Sequence, residues 1–364
     1  MNAQRILIVG GYGVVGRRIA AELAASYPDQ ITIAGRHGAQ AAEAAVAVGY
    51  GARGREIDTS MASSIAAALE GVTTVISCID LADRSLLWAA IERGLCYTDV
   101  TPRLTELGRG AAYERVDAAA RSAGARIVLG TGIAPGIANV MARALNDTLG
   151  CADEIETALL LPASGSGGPA LFGYFLQELA MSYEILIQGA SRRVRAFSDP
   201  RLVEFLPPAG TRLAYLFPFS DQVLYPHTLG VHTAITRLAI DPAWLGRFLA
   251  ITVRTRASRL MAIGWIRNAL MNVRRQNRPS AKTAWFQLRV DVRCGDRWRH
   301  AMLAGQSQAD ATALAAAETA RLLIGGKVEP GAWVPEQVVD PGPFFSRLAS
   351  RGLRVEVYNG SSPS

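Results

Sequence analysis

The segment Ile6-Leu7-Ile8-Val9-Gly10-Gly11-Tyr12-Gly13-Val14-Val15-Gly16 constrains this chain most. Four apolar residues suit a buried strand, Gly11-x-Gly13-x-x-Gly16 suits a tight turn, and Val14, Val15, Ile19 and Leu23 recur at helical spacing. Glycines in such a turn let backbone N–H groups and the positive end of a helix approach a diphosphate that side chains would hold off. A second apolar strand follows at 31–34. The turn and helix therefore sit inside a βαβ unit of about 30 residues, the context that gives a glycine pattern meaning. The expectation is a dinucleotide-binding turn built from Gly10, Gly11, Tyr12, Gly13, Val14, Val15 and Gly16.

The residues after the second strand bear on which dinucleotide. An NAD site usually places Asp or Glu there to accept from the ribose 2′-OH. This chain has Gly35-Arg36-His37 and no acid. A guanidinium binds a 2′-phosphate through paired charge-assisted hydrogen bonds, whereas a carboxylate repels it. The expected cofactor is NADP(H), held at its 2′-phosphate by Arg36, with His37 assisting or solvated.

Through residue 150 the chain alternates short strands and helices, the pattern of a parallel sheet covered on both faces. Strands are expected at 54–57, 74–78, 96–100 and 126–129, with helices at 39–48, 60–69, 85–93 and 113–122 and another starting near Ile137. The texture then changes. Residues 154–161 alternate like a half-buried strand, 164–169 break it, 170–188 read as a long helix, and 284–292 with 298–304 read as paired strands. Residues 308–323 form an Ala-rich helix. The fold class expected is α/β. A Rossmann-type doubly wound parallel sheet spans 1–150, a second α+β domain for substrate or dimerisation spans 151–304, and 305–354 returns to the first domain.

Cys78, Cys96, Cys151 and Cys294 show no C-x-x-C spacing and no metal-spaced histidines, so four buried free thiols and no metal site are expected. The first strand starts too early for a secretory signal, and the reading is cytoplasmic. The chain carries a formal net charge of +7, unevenly spread. Residues 251–300 hold twelve Arg or Lys against Asp291 and Asp296. Such a block is a solvated face or a peripheral contact with an anionic membrane or acidic protein. Nothing matches a nucleic-acid module. No charge-free run between 244 and 273 is long enough to span a bilayer, although Leu260, Ile263, Trp265 and Ile266 could lie along an interface. The apolar content and Ala-rich helices are compatible with a homodimer.

The order of GGYGVVG, AGR at 34–36, YTDV at 97–100 and GTGIAPGIANVMA at 130–142 resembles the saccharopine dehydrogenase-like NADP-binding oxidoreductases, as does the tail with Gly331-Ala332-Trp333-Val334-Pro335-Glu336. The resemblance implies hydride transfer between a nicotinamide and an imine or carbonyl carbon. It implies that Gly11, Gly13, Val14 and Val15 meet the pyrophosphate and Arg36 the 2′-phosphate, with Asp58 near adenine. Ser77, Cys78 and Ile79 would line the nicotinamide ribose. Members acting on amino acids commonly carry Asp where this chain has Ala134, so a more apolar substrate is implied here.

Hydride transfer asks of side chains mainly positioning, exclusion of water and one proton donor. Tyr97 and Asp99 end a strand where a donor is useful, although Asp99 could instead cap a loop. His227, in a loop-like Tyr225-Pro226-His227, is a second donor candidate or a structural histidine. Asp80 and Asp83 read as helix caps. The glycine-rich 164–168 could hold an anionic group or be a plain loop. The function expected is an NADPH-dependent reductase of an imine or ketone. The alternative is a non-catalytic NADPH-binding protein docking through residues 251–300.

Overall fold

The computed structural model of the chain describes residues 4–81, 83–100, 111–163, 175, 178–179, 181–255 and 285–360. They divide into two compact units, Met1–Ile137 with Ala309–Val339, and Ala138–Gln308 with Asp340–Ser364. The sequence reading places 305–354 as a block with the first domain; here that stretch is shared between the units.

The first unit alternates β1 (Ile6–Val9), α1 (Val14–Ala24), β2 (Ile31–Gly35), α2 (Gly38–Val48), β3 (Arg53–Glu56), α3 (Ala62–Ala68), β4 (Thr74–Ser77), α4 (Ser85–Glu92), β5 (Cys96–Asp99), α5 (Ala111–Ala123) and β6 (Arg126–Val128). Every pairing is parallel, and the order is β15-β6-β5-β4-β1-β2-β3, where β15 is Gly331–Trp333. Strand order reverses between β1 and β4, which opens a crevice at their carboxyl ends. Ile6, Ile8, Ile31, Ile33 and Ile76 form a buried layer with Ile19 and Leu23 of α1. Ala313, Ala316, Ala317 and Ala320 of the later helix Gln308–Ile324 join it. Their small side chains permit close helix-to-sheet approach. Gly54 of β3 is an extreme case, because a Cβ there would lie 2.3 Å from the Ala42 backbone nitrogen.

The second unit continues with α6 (Ile137–Leu149), then β7 (Glu154–Pro162), β8 (Ser182–Ile187), β9 (Ala190–Arg195), β10 (Arg201–Glu204), β11 (Thr211–Leu216), α7 (Asp221–Thr228), β12 (Thr233–Asp241), α8 (Ala243–Arg254), β13 (Phe286–Cys294) and β14 (Arg297–Gly305). After α9 (Gln308–Ile324) and α10 (Pro335–Val338), α11 (Pro341–Ser350) and β16 (Arg354–Gly360) close the chain. The mixed sheet runs β10-β11-β12-β7-β13-β14-β16, with β8 pairing off β12 and β9 pairing with β8. The paired strands read at 284–304 are the antiparallel hairpin β13–β14.

Three expectations are corrected. The helix read over 170–188 ends instead in the hairpin β8–β9, turned by Gln188 and Gly189 at φ 51° and 77°. Two positive φ values in a two-residue loop are the hairpin geometry that matches strand twist, and Gln-Gly is a weak written signal for it. Tyr225-Pro226-His227 lies in α7 rather than in a loop. Cys151 and Cys294 are disulfide-bonded, with Cα atoms 5.6 Å apart and a sequence separation of 143, while Cys78 and Cys96 are free. Sequence spacing could not show that neighbourhood.

A buried polar knot ties α7 to the sheet. Thr236 Oγ1 donates to Asp221 Oδ1 at 2.9 Å, Tyr225 OH donates to Asp221 Oδ2 at 3.3 Å, and Thr157 Oγ1 lies 3.0 Å from Tyr225 OH. Burial pushes the Asp221 carboxyl up to about 6 despite these donors. The fold therefore binds this proton more tightly than the unfolded chain does. The group's contribution is fully present well below pH 4 and is lost as pH rises through about 6. Between pH 4.5 and 7.5 the loss is about 2 kcal/mol. Urea unfolding of Asp221→Asn and the parent at both pH values should show the variant gaining that much relative to the parent. A pH-independent difference would refute the assignment.

Candidate active site

The turn after β1 is shaped by contacts that only glycine permits. Gly10 adopts φ +76°, and a Cβ there would meet Ile79 Cγ2 at 2.8 Å and the Cys78 carbonyl carbon at 3.3 Å. A Cβ on Gly16 would lie 2.5 Å from the Gly10 oxygen, so the first turn of α1 is pressed against the loop. Gly10 and Gly11 N–H both donate to the Ala34 oxygen, and Gly13 N–H donates to Gly10 O at 2.9 Å. Cys78 N–H donates to Val9 O at 2.8 Å. The structure thus brings the glycine turn beside Cys78 and Ile79, across the β1–β4 crevice.

Gly13 is the N-cap of α1, in extended conformation, with no side-chain cap and no acid in the first turn. The leading N–H groups of a helix have no intrahelical acceptor, and the helix dipole adds positive potential there. The end of α1 at Val14 and Val15 could hold an anionic group such as a diphosphate.

At the end of β2, the Tyr12 ring lies so close to Gly35 that a Cβ there would fall 2.2 Å from Tyr12 Cε1. The Tyr12 and His37 ring centroids are 6.4 Å apart. Ser60 donates to Asp58 from both N–H (3.0 Å) and Oγ (2.7 Å). These bonds hold its carboxyl below the ordinary range, and Arg36 adds a smaller effect in the same direction. Tyr12, His37, Arg36 and Asp58 thus gather at the carboxyl ends of β2 and β3.

The sequence reading missed an acid here. Gly38 N–H, at the start of α2, donates to Glu56 Oε2 at 3.3 Å. Glu56 pairs in register with Gly35, so the neighbouring strand supplies a carboxylate that the β2 loop itself lacks. The signal was an acid two residues before Asp58 on an expected strand. Its use required the register.

Ser77, Tyr97 and Asp99 meet at the ends of β4 and β5. Tyr97 is 3% exposed and Asp99 1%. Tyr97 OH lies 3.5 Å from Asp99 Oδ2, Arg84 Nη1 lies 3.5 Å from the same oxygen, and Gly130 N–H donates to Asp99 Oδ1 at 2.9 Å. Burial, then the Asp99 charge, pushes the Tyr97 phenol well above its ordinary value, so it keeps its proton. Burial also raises the Cys78 thiol to about 12, which keeps it neutral. Asp83 Oδ1 accepts from Ser85 N–H at 3.1 Å, a local cap at the start of α4. Arg84 was not anticipated; it stands at the N-cap of α4 with φ 54°.

The 130–136 segment follows β6. Gly136, at φ +129°, could not bear a Cβ, which would fall 2.1 Å from the Gly132 oxygen. Thr131 N–H and Oγ1 both donate to the Asp99 carbonyl at 2.8 Å. Ala134 is buried in this turn. Among the described residues no group of His, Cys, Asp or Glu could hold a metal ion. His227 belongs to the second unit, exposed in the last turn of α7. The 164–168 segment and residues 256–284 lie outside the described residues, with Leu260, Ile263, Trp265 and Ile266 among them. Phe205, Tyr215, Phe217 and Phe219 of the second unit are buried, and Phe175 stacks on Phe217.

A parallel sheet in this order, with a glycine turn and an uncapped helix end at its switch point, defines a Rossmann-type dinucleotide-binding domain. Residues 6–128 match the saccharopine dehydrogenase NADP binding domain, which supports the binding of a nicotinamide dinucleotide by this part of the chain. The whole chain is saccharopine dehydrogenase-like in fold, a parallel-sheet unit and a second, mixed-sheet unit. It is similar to the apo, histidine-tagged saccharopine dehydrogenase (L-Glu forming) from Saccharomyces cerevisiae, at 16% identity and a TM-score of 0.67 over 98% of this chain and 100% of that one. A second similar structure is GenD2 from gentamicin A biosynthesis in complex with NAD, at 14% identity, TM-score 0.46, and 99% and 98% coverage. No curated protein matches the chain by sequence.

Proposed function

We propose that this protein is an NADPH-dependent reductase that passes hydride to an imine or carbonyl carbon of a small, rather apolar substrate. The observation that carries the reading is the uncapped, acid-free start of α1, met by a turn in which added side chains would clash. The bound nicotinamide would supply the hydride. Val14 and Val15 N–H hold the diphosphate, Arg36 faces the adenosine 2′-phosphate, and Cys78 and Ile79 line the crevice without contributing charge. Tyr97, kept protonated by burial, is the proton donor to the developing anion. Asp99 is a positioning residue: it anchors the Gly130 backbone and faces Tyr97 OH. The apolar Ala134 favours a substrate with no amino group to hold at that point. His227→Ala is the comparison variant for the rival donor.

Glu56 favours a second reading of the cofactor. A carboxylate at the start of α2 competes with a 2′-phosphate or accepts from a ribose hydroxyl. Fluorescence titration separates the two. If the phosphate is read, Arg36→Asp should weaken NADPH by about 100-fold and NADH only slightly, while Glu56→Gln tightens NADPH several-fold. Equal losses for both coenzymes in Arg36→Asp, with NADH weakened by Glu56→Gln, would assign the site to NAD. Coenzyme oxidation with a panel of cyclic imines and hydrophobic ketones tests the reaction. No turnover of any member beside tight coenzyme binding would overturn it.

A further inference from the structure

Helix α8 carries apolar side chains on both of its sides. Gly246, Leu249, Thr252 and Val253 are buried. A Cβ on Gly246 would lie 3.3 Å from the Tyr215 ring of β11, which marks the inner side. On the outer side Trp244 is 65% exposed, Phe248 50% and Ile251 61%. Their i, i+4, i+7 spacing lines them up in one stripe. Soluble proteins scatter large exposed apolar residues singly; a run of three along one helix marks an interaction surface.

The charges beside the stripe identify the partner. Arg247 and Arg254 are exposed on the same helix, which contains no acid. A stripe of Trp, Phe and Ile lies beside Arg247 and Arg254 on one helix. It matches the boundary of a lipid leaflet, where the rings enter the acyl edge and the guanidinium groups reach anionic headgroups. Among the described residues no helix is long and apolar enough to cross a membrane.

We infer that α8 lies flat on an anionic lipid surface, inserting Trp244, Phe248 and Ile251 while Arg247 and Arg254 pair with lipid phosphates. This inference is independent of the proposed reductase activity. The test is sedimentation of the full chain with phosphatidylcholine vesicles and with vesicles also containing phosphatidylglycerol. Binding is expected to the anionic vesicles only. It should fall at least about tenfold in Trp244→Ser/Phe248→Ser/Ile251→Ser, and by a similar factor in Arg247→Glu/Arg254→Glu. High salt should weaken the parent. Because the altered side chains are exposed, coenzyme binding should be unchanged in both variants. No binding to anionic vesicles overturns the inference, as does binding that survives the triple change. A dimer in gel filtration that the triple change dissolves, without vesicle binding, would make the stripe a contact between two copies and equally overturn it.

Discussion

Gly13→Asp should abolish coenzyme binding, with Kd raised by at least about 100-fold, while leaving the protein as stable as the parent. The two halves of this result have one cause. Gly13 is the N-cap of α1 at φ −71° and ψ 176°, the extended geometry in which an Asp side chain accepts from the N–H groups of the first turn. An added Cβ would lie 3.0 Å from Gly10 O, a tight contact that costs a few tenths of an ångström of adjustment. The new cap contributes about 1 kcal/mol, which offsets that strain. The same carboxylate then occupies the donors that a diphosphate would use and repels its charge. Thermal unfolding and coenzyme fluorescence measured on one preparation check both parts. Retained binding would mean that the α1 end is not the diphosphate site.

Asp99→Ala should cost about 3–5 kcal/mol of stability, the range for breaking a buried charge pair. The carboxylate is 1% exposed and accepts from Gly130 N–H, while Arg84, with only 16% of its side chain exposed, stands 3.5 Å away. Removing it takes a partner from a buried amide and a largely buried guanidinium at once. Urea unfolding measures the loss. Asp99→Asn keeps an acceptor for Gly130 and should recover much of the stability. If Asp99→Ala unfolds like the parent and only turnover falls, Asp99 acts in the chemistry itself rather than by holding the loop and Tyr97.

Much of the first unit was legible because its signals are local. A buried parallel strand needs a short apolar run; 6–9 is one, and Val75-Ile76 and Ile127-Val128 are shorter ones. The Ala-rich 308–324 reads as a helix from composition and period alone. The 170–188 stretch misled because its end is decided by cross-strand pairing and by a hairpin turn whose residues are only weakly typical. The disulfide was hidden for a related reason: its partners are far apart in the chain.

Within the candidate site the division follows the same physics. The sequence alone determined the glycine turn and the α1 end, since close backbone approach is a property of adjacent residues. Only the tertiary structure decided that Glu56 reaches the start of α2, because strand register sets Glu56 opposite Gly35. Folding likewise turned Asp99 inward to the Gly130 amide and Arg84, and left Trp244, Phe248 and Ile251 outside. Helical period groups those three on one face. Which face of α8 meets the sheet depends on Gly246 fitting beneath Tyr215, a contact between segments about 30 residues apart.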